Sequence, residues 1–180
     1  MGEALHRLLL LRHAKSSHKD QTLRDFERPL NKRGRKDCRR IGKWLKSEEM
    51  MPDLVISSPA VRAKETSLRV CKRMGYAADN IQWEESVYDA NARTLLKLLV
   101  DVPEETHTVM LVGHHEGLET TILRMSRWAD IPAEPKLIPT SAVAHLDING
   151  RWSEVKKCDA RLRSITRPRE LAARKSGPAP

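Results

Sequence analysis

The chain alternates between short apolar runs and longer segments whose apolar residues recur every three or four positions. The apolar runs have the length of strands, and the periodic segments are typical of helices with one buried face. Strands are predicted at residues 5–11, 53–57, 81–83 and 108–113, and helices at residues 31–49, 59–74, 92–100 and 118–128. Repeated strand–helix alternation predicts a parallel sheet covered by helices.

Two of the helices carry clear local signals. In the first, Cys38, Ile41 and Leu45 share one face and are predicted to be buried. In the second, Pro59 lies where a first helical turn accepts proline, and Gly75 is placed to end the helix.

The pattern changes after residue 140. Residues 142–148 and 151–155 flank Asn149-Gly150, which is a strong signal for a tight hairpin. We therefore predict an α/β fold, a three-layer α/β/α sandwich whose sheet is mostly parallel with an antiparallel edge.

Length and composition fit one soluble domain. The 180 residues are 39% hydrophobic and contain no run near the roughly 18 apolar residues of a membrane span. We predict a single domain over residues 1–160 and a basic, frayed or disordered tail over residues 161–180. Cys38, Cys71 and Cys158 form no CxxC motif, which predicts reduced thiols and a cytoplasmic location.

The charge of the chain raises one alternative class, a nucleic-acid-binding protein. The net charge is +9 and the pI is about 9.7. Against this class, the chain has no motif for stacking bases, and its charge excess is concentrated in residues 24–40 and beyond residue 156. These features disfavour nucleic acid as the main partner, although a basic surface can steer acidic partners.

Reactive or charged residues follow three of the predicted strands. Arg12-His13 ends the first strand, Ser-Ser-Pro-Ala-Val-Arg at residues 57–62 follows the second, and Gly-His-His at residues 113–115 follows the most apolar one. Ligands of open α/β sheets lie beyond the carboxyl ends of the strands, so we expect these segments to meet in one crevice. The helix N-termini there favour an anion.

These three segments, with Arg-Pro-Leu-Asn-Lys-Arg-Gly at residues 28–34, resemble the motifs of the histidine phosphatase superfamily. That superfamily has the phosphoglycerate-mutase-like fold. The short chain and the segment at residues 28–34 are similar to its small phosphohistidine phosphatases of the SixA type. The resemblance spans residues 8–155.

The resemblance implies roles for four residues. His13 is expected to be the nucleophile that becomes phosphorylated, and His114 the second histidine of the pocket. Arg12 and Arg62 are expected to bind the phosphoryl oxygens, which guanidinium groups can do bidentately. His13 has to attack as a neutral imidazole whose other nitrogen donates to a backbone carbonyl, whereas a protonated His114 would stabilise the developing charge.

Further candidates lie near these motifs. Ser16 is a candidate phosphate ligand, and His115 either adds a titrating group at the rim or faces solvent. Glu85, and after it Asp89, is the candidate general acid that a phosphomonoester with a poor leaving group needs. We expect no cofactor and no metal, because the motif residues supply no carboxylates at ligand spacing and the adjacent His114 and His115 point to opposite sides.

The loops indicate the substrate class. Mutases and phytases of the superfamily carry long insertions over the pocket, whereas one short strand and two helices account for residues 62–114. An uncovered pocket suits a phosphorylated protein, so we expect phosphohistidine on a phosphotransfer domain or carrier. The alternative is a small-molecule phosphomonoesterase that acts on sugar phosphates or nucleotides.

Overall fold

A computed structural model describes residues 5–155 and 160–173, and a six-stranded sheet forms its centre. The strand order is β3-β2-β4-β1-β5-β6. The first four strands run parallel, β5 runs antiparallel to β1, and β6 runs antiparallel to β5. The mostly parallel sheet with an antiparallel edge is therefore confirmed. The strands are β1 (Leu5–Arg12), β2 (Leu54–Ser57), β3 (Ile81–Trp83), β4 (Thr108–Gly113), β5 (Val143–Asn149) and β6 (Ala160–Thr166).

Helices cover both faces of the sheet. Leu8 and Leu10 of β1 belong to the core under α3 and α4, whereas Leu9 and Leu11 belong to the core under α1 and α2. This alternation buries β1 on both sides and explains its unbroken apolar run. None of the helices in the described ranges is long and apolar enough to cross a membrane. The helices are α1 (Lys32–Ser47), α2 (Val61–Met74), α3 (Ala92–Val100), α4 (His115–Met125) and α5 (Pro168–Ala173).

Most local signals in the sequence act as expected. Cys38 and Cys71 are buried free thiols, as their positions on apolar faces predict, and Cys158 lies outside the described residues. Gly75 ends α2 with a φ of 92°, the left-handed conformation that glycine adopts readily. Helix α4 begins at His115, three residues before the predicted start at 118.

The predicted hairpin has a different second strand. Residues 151–155 do not pair with β5, because Trp152–Glu154 forms a short 3-10 helix. The Trp152 side chain is fully buried and its Nε1 donates to the Thr106 carbonyl at 2.7 Å. The strand that pairs with β5 is β6, which begins at Ala160.

The predicted disordered tail also differs from the structure. Residues 160–166 form the edge strand β6, and residues 168–173 form α5. In β6, Ala160 and Leu162 are buried while the arginines between and after them are exposed, which is the alternation of a strand with one buried face. The prediction of disorder rested on the basic composition of this segment and did not take its strand-like alternation into account. Residues 174–180 lie outside the described ranges.

Two glycines bring helix backbone directly against the main chain of other segments. A Cβ added to Gly34 of α1 would lie 2.3 Å from the carbonyl oxygen of Lys15. A Cβ added to Gly117 of α4 would lie 2.2 Å from the carbonyl oxygen of Ala90. Both distances are far below contact range, so any side chain at either position would displace main chain.

Candidate active site

Three neighbouring strands end at the same edge of the sheet and bring the predicted residues together. The backbone N–H of His13, directly after β1, donates to the Gly113 carbonyl at 3.0 Å. Ser58, directly after β2, donates in the same way to the Val112 carbonyl at 3.0 Å. The rings of His13 and His114 consequently lie with their centroids 5.2 Å apart. The expected convergence on one crevice is observed.

His13 is held in one tautomer by its own segment. Its Nδ1 lies 2.9 Å from the Ala14 carbonyl oxygen, an acceptor, so Nδ1 carries the proton. Its Nε2 is then unprotonated, and the lone pair on this nitrogen accepts a hydrogen bond from Nε of Arg62 at 3.3 Å. This is the neutral form, with the second nitrogen bonded to a backbone carbonyl, that the chemistry requires of a nucleophile.

Arg62 lies at the centre of the crevice on the first turn of α2. Its Nη2 donates to Nδ1 of His114 at 3.2 Å and to Oδ2 of Asp25 at 2.8 Å, and its Nη1 donates to the Asp25 carbonyl. Thr66, one helical turn later, accepts from the N–H of Ala14 at 2.9 Å and donates to the Arg62 carbonyl at 2.6 Å. Thr66 therefore ties the helix that carries Arg62 to the segment that carries His13.

Arg12 is the second buried guanidinium of the crevice. Its Nη1 donates to the Ile138 carbonyl at 3.0 Å, whereas its buried Nε has no hydrogen-bond partner among the described residues. Burial lowers the pKa of Arg12, an effect that Glu119 partly offsets. A buried cation with an unused donor is costly unless an anion engages it, which fits a phosphoryl oxygen.

His114 precedes the first turn of α4 in an extended conformation. Its Nδ1 accepts from Arg62, and its Nε2 lies 3.0 Å from the Ser58 hydroxyl. A neutral ring protonated at Nε2 satisfies both contacts, since the serine oxygen can accept. Arg62, which can only donate, thus fixes the tautomer of His114, and the Ser58 hydroxyl accepts from the protonated Nε2.

Both histidines are neutral near pH 7. Burial, opposed by the Ala14 hydrogen bond and assisted by the neighbouring His114, Arg62 and Arg12, lowers the pKa of His13 to about 3. Burial and then Arg62 lower the pKa of His114 to about 4, against the opposing charge of Asp25. His114 is therefore neutral in the protein alone, and its protonation during the reaction stays a prediction. A bound phosphoryl dianion would raise that pKa by supplying the missing negative charge.

We predict that the free energy of unfolding falls as the pH decreases from about 6.5 to about 4. In this window the unfolded histidines bind protons, because their ordinary pKa is 6.5, whereas buried His13 and partly buried His114 stay neutral. Stability is thus fully present above 6.5 and is lost towards acid, with a slope of at most about 2.7 kcal/mol per pH unit for two protons. Urea unfolding at pH 7, 6 and 5 measures it.

A His13→Gln variant should have a pH slope lower by up to about 1.4 kcal/mol per pH unit, because the contribution of one proton is removed. His107→Gln, at an exposed position, is the matched control and should keep the wild-type slope. Equal urea midpoints for the wild-type protein at pH 5 and pH 7 would contradict the prediction.

Asp25 and Tyr88 complete the crevice and were not predicted. The Tyr88 hydroxyl donates to Oδ2 of Asp25 at 3.1 Å, and the Tyr88 ring lies edge-on to His114 with the centroids 5.3 Å apart. Asp25 also pairs with Arg28 at 2.6 Å. The only signal available in the sequence was that Asp25 lies just before the motif at residues 28–34.

The other candidates lie further from the two histidines. Ser16 is buried and its backbone pairs with Leu30, but its hydroxyl makes no hydrogen bond within the described part of the chain. Its role as a phosphate ligand stays a prediction. His115 Nε2 lies 3.0 Å from Glu119 Oε2, and the charge of Arg12 acts on His115, which places it at the rim.

The two candidate general acids are not in contact with the pocket histidines. Within residues 5–155 and 160–173, neither Glu85 nor Asp89 makes a hydrogen bond or an ion pair with His13, His114 or Arg62. The carboxylate that the fold does bring to this position is that of Asp25. No group of three or more His, Cys, Asp or Glu side chains in the same ranges is arranged to hold a metal ion.

Comparison with known sequences adds family information. The family model of the histidine phosphatase superfamily, branch 1, matches residues 8–86. An uncharacterised chloroplastic protein of Arabidopsis thaliana is 33% identical over 128 residues, which are 67% of this chain. The match spans 59% of the length of the Arabidopsis protein.

Comparison with solved structures gives similar folds. A candidate phosphohistidine phosphatase SixA from Agrobacterium tumefaciens is 30% identical, with a TM-score of 0.74 over 89% of this chain and 97% of the other. A SixA structure from Nakamurella multipartitia, 24% identical, has a TM-score of 0.79 over 93% and 99% of the two chains. A mycobacterial glucosyl-3-phosphoglycerate phosphatase, 16% identical, shares the fold with a TM-score of 0.64 over 88% and 98%.

Proposed function

Because the chain belongs to the histidine phosphatase superfamily and to its SixA-type branch, we propose that it removes phosphate from phosphohistidine on a protein through a phosphorylated His13. The observation that carries the proposal is the unprotonated Nε2 of His13, whose lone pair accepts a hydrogen bond from Arg62 at 3.3 Å. This atom is fixed by the Nδ1–Ala14 hydrogen bond and lies beside the guanidinium of Arg62. It is a neutral nucleophile next to a cation that can bind the group under attack.

The reaction has two steps. Nε2 of His13 attacks phosphorus, the bond to the leaving nitrogen breaks, and its electron pair goes to that nitrogen. Water then attacks the phosphorylated His13, and the electron pair of the second P–N bond returns to Nε2. Arg12, Arg62 and a protonated His114 stabilise the charge on the phosphoryl oxygens in both steps.

The substrate class follows from the leaving group. An imidazole protonated at its other nitrogen departs without a general acid, and neither predicted acid, Glu85 or Asp89, contacts the pocket histidines. An alkoxide, in contrast, needs a proton donor. The short connections between α2 and α4 leave the pocket open enough for a side chain of another protein.

An exposed basic stripe also supports a protein substrate. The stripe comprises Lys32, Lys36, Arg39, Lys43 and Lys46. These residues lie on one face of α1, and none of them forms an ion pair with a described residue. The stripe begins beside the segment after His13, because the N–H of Asn31 donates to the Lys15 carbonyl at 3.0 Å. Uncompensated positive charge at the pocket would attract an acidic partner.

The second candidate function is hydrolysis of a small phosphomonoester. It is favoured by the shared fold of the glucosyl-3-phosphoglycerate phosphatase and by the carboxylate of Asp25 beside Arg62. In that case one of Asp25, Glu85 and Asp89 would act as the general acid.

A substrate panel tests the proposal. Phosphate release is measured from a phosphohistidine protein, a phosphoserine peptide, a sugar phosphate and an aryl phosphate, in chelator and without added metal. We expect the phosphohistidine protein to have the highest kcat/KM and the chelator to have no effect. Glu85→Gln and Asp89→Asn should leave this activity unchanged, because the imidazole carries its own proton.

Two results would contradict the proposal. One is a sugar phosphate that is hydrolysed faster than phosphohistidine, with a loss of about 10² to 10⁴ when one carboxylate is replaced, as expected for removal of a general acid. The other is activity that disappears in chelator and returns with Mg²⁺ or Zn²⁺.

A further inference from the structure

We propose that Asp25, Phe26 and Tyr88 form a subsite for the leaving group, and that this subsite takes a protonated planar heteroaromatic ring. The inference rests on the proposed function and assigns the residues that select phosphohistidine over phosphate esters. No acid for the leaving group is needed in this assignment, because the subsite recognises a proton that the substrate already carries.

The carboxylate of Asp25 marks the mouth of the pocket. It lies 2.8 Å from Nη2 of Arg62, yet 53% of the Asp25 side chain is exposed against 5% for Arg62. A leaving group attached to a phosphoryl group on Arg62 has to pass through this exposed side. Because Arg62 and Arg28 already pair with this carboxylate, its selectivity lies in hydrogen bonding: it accepts from an N–H of a leaving group and has no proton to donate to a leaving oxygen.

Asp25 retains capacity for one more hydrogen bond. A carboxylate offers about four lone-pair sites. Arg62 and Tyr88 use Oδ2, and Arg28 uses Oδ1. The remaining site on Oδ1 is available to an N–H of the substrate.

Two aromatic rings flank the carboxylate. Tyr88 and Phe26 meet edge to face with centroids 5.0 Å apart, and both are only partly buried. The guanidinium carbon of Arg62 lies 5.9 Å from the centroid of Tyr88, so this ring already contacts a cation. A flat cation entering beside Asp25 would meet aromatic surface as well as the carboxylate.

The protonated imidazole of phosphohistidine fits these surroundings. As Nε2 of His13 attacks, the P–N bond of the substrate breaks and its electron pair stays on the departing nitrogen. The other nitrogen keeps its proton, which hydrogen-bonds to Asp25, and a neutral imidazole leaves. Asp25 thereby favours the protonated substrate, whose leaving group departs readily. An aryl phosphate releases a phenolate, which has no N–H to donate to the same carboxylate.

The test compares two substrates in four proteins. kcat/KM is measured for a phosphohistidine peptide and for p-nitrophenyl phosphate, with wild type, Asp25→Asn, Asp25→Glu and Asp20→Asn. We expect Asp25→Asn to lose about tenfold more on the peptide than on the aryl phosphate, which is the scale of a hydrogen bond to a charged group. Asp25→Glu should restore most of the preference. Asp20, exposed on the same loop and bonded to Thr22, is the matched control and should behave as wild type.

The pattern of losses identifies the cause. Equal losses on both substrates would mean that Asp25 only orients Arg62. Equal gains on both would mean that Asp25 only competes with the phosphoryl group for Arg62. Either result overturns the inference. If wild type cleaves the peptide but Asp25→Asn keeps the wild-type substrate ratio, the subsite is wrong while the proposed function stands. If wild type does not cleave the peptide, the proposed function fails and the subsite fails with it.

Discussion

Replacing His13 with alanine should abolish phosphatase turnover and leave the fold intact. Removal of a catalytic nucleophile costs on the order of 10⁶ in kcat, and no other described residue offers a ring nitrogen in the same position. The fold should survive because the histidine is buried in its neutral form, and the hydrogen bond lost is a local one from Nδ1 to the Ala14 carbonyl.

The measurement uses a substrate that carries a labelled phosphoryl group. The reaction is stopped rapidly without acid, and the labelled residue of the protein is then identified. In wild type we expect a label that is labile in acid, stable in base and located on His13. His107→Ala, at an exposed position, should retain both label and turnover. A label on His114, or full activity of His13→Ala, would show that the nucleophile is assigned to the wrong residue.

Replacing Arg62 with lysine should cost about 2 to 4 kcal/mol of transition-state stabilisation, or about 30- to 1,000-fold in kcat/KM. Arg62 directs separate N–H groups to His13, His114 and Asp25 at once. A lysine has a single ammonium group and cannot hold this planar arrangement or bind two phosphoryl oxygens in parallel. Arg12→Lys should show a loss in the same direction.

Arg69→Lys provides the control for this substitution. Arg69 lies two turns further along α2, is 42% exposed and pairs with Glu65 at 3.6 Å. Its replacement by lysine should leave kcat/KM unchanged. If Arg62→Lys itself stays within a factor of two of wild type, Arg62 does not bind the phosphoryl group.

The sequence was most informative where function depends on strand ends. His13, Ser58 and His114 each follow an apolar run, and the parallel order of the three strands was enough to predict that they meet. The tautomer of His13 was also predictable, because a neutral imidazole at a strand end has backbone carbonyls within reach. The pKa of His114 was not predictable, since it depends on burial and on the distance to Arg62, which follow only from packing.

The contribution of Asp25 and Tyr88 to the site could not be predicted from the sequence. Asp25 contacts Arg62, which is 37 positions away in the chain, and Tyr88, which is 63 positions away. Both lie in loops outside regular helices and strands, so no periodicity places them. Glu85 and Asp89 were chosen by proximity to β3, but chain proximity does not fix the direction of a side chain in a loop.

Main chain packs on main chain at Gly34, against Lys15, and at Gly117, against Ala90, and we call these two contacts the wall beside the pocket. Such a wall has no side-chain rotamers to reorganise, so little conformational entropy is lost there when a phosphoryl group binds. Differences between leaving groups are then accommodated by the partly exposed residues at the rim of the pocket, which include Asp25 and Phe26. A change of substrate during evolution would therefore alter rim residues while the wall and its two glycines persist, so one phosphoryl-binding frame can serve many leaving groups.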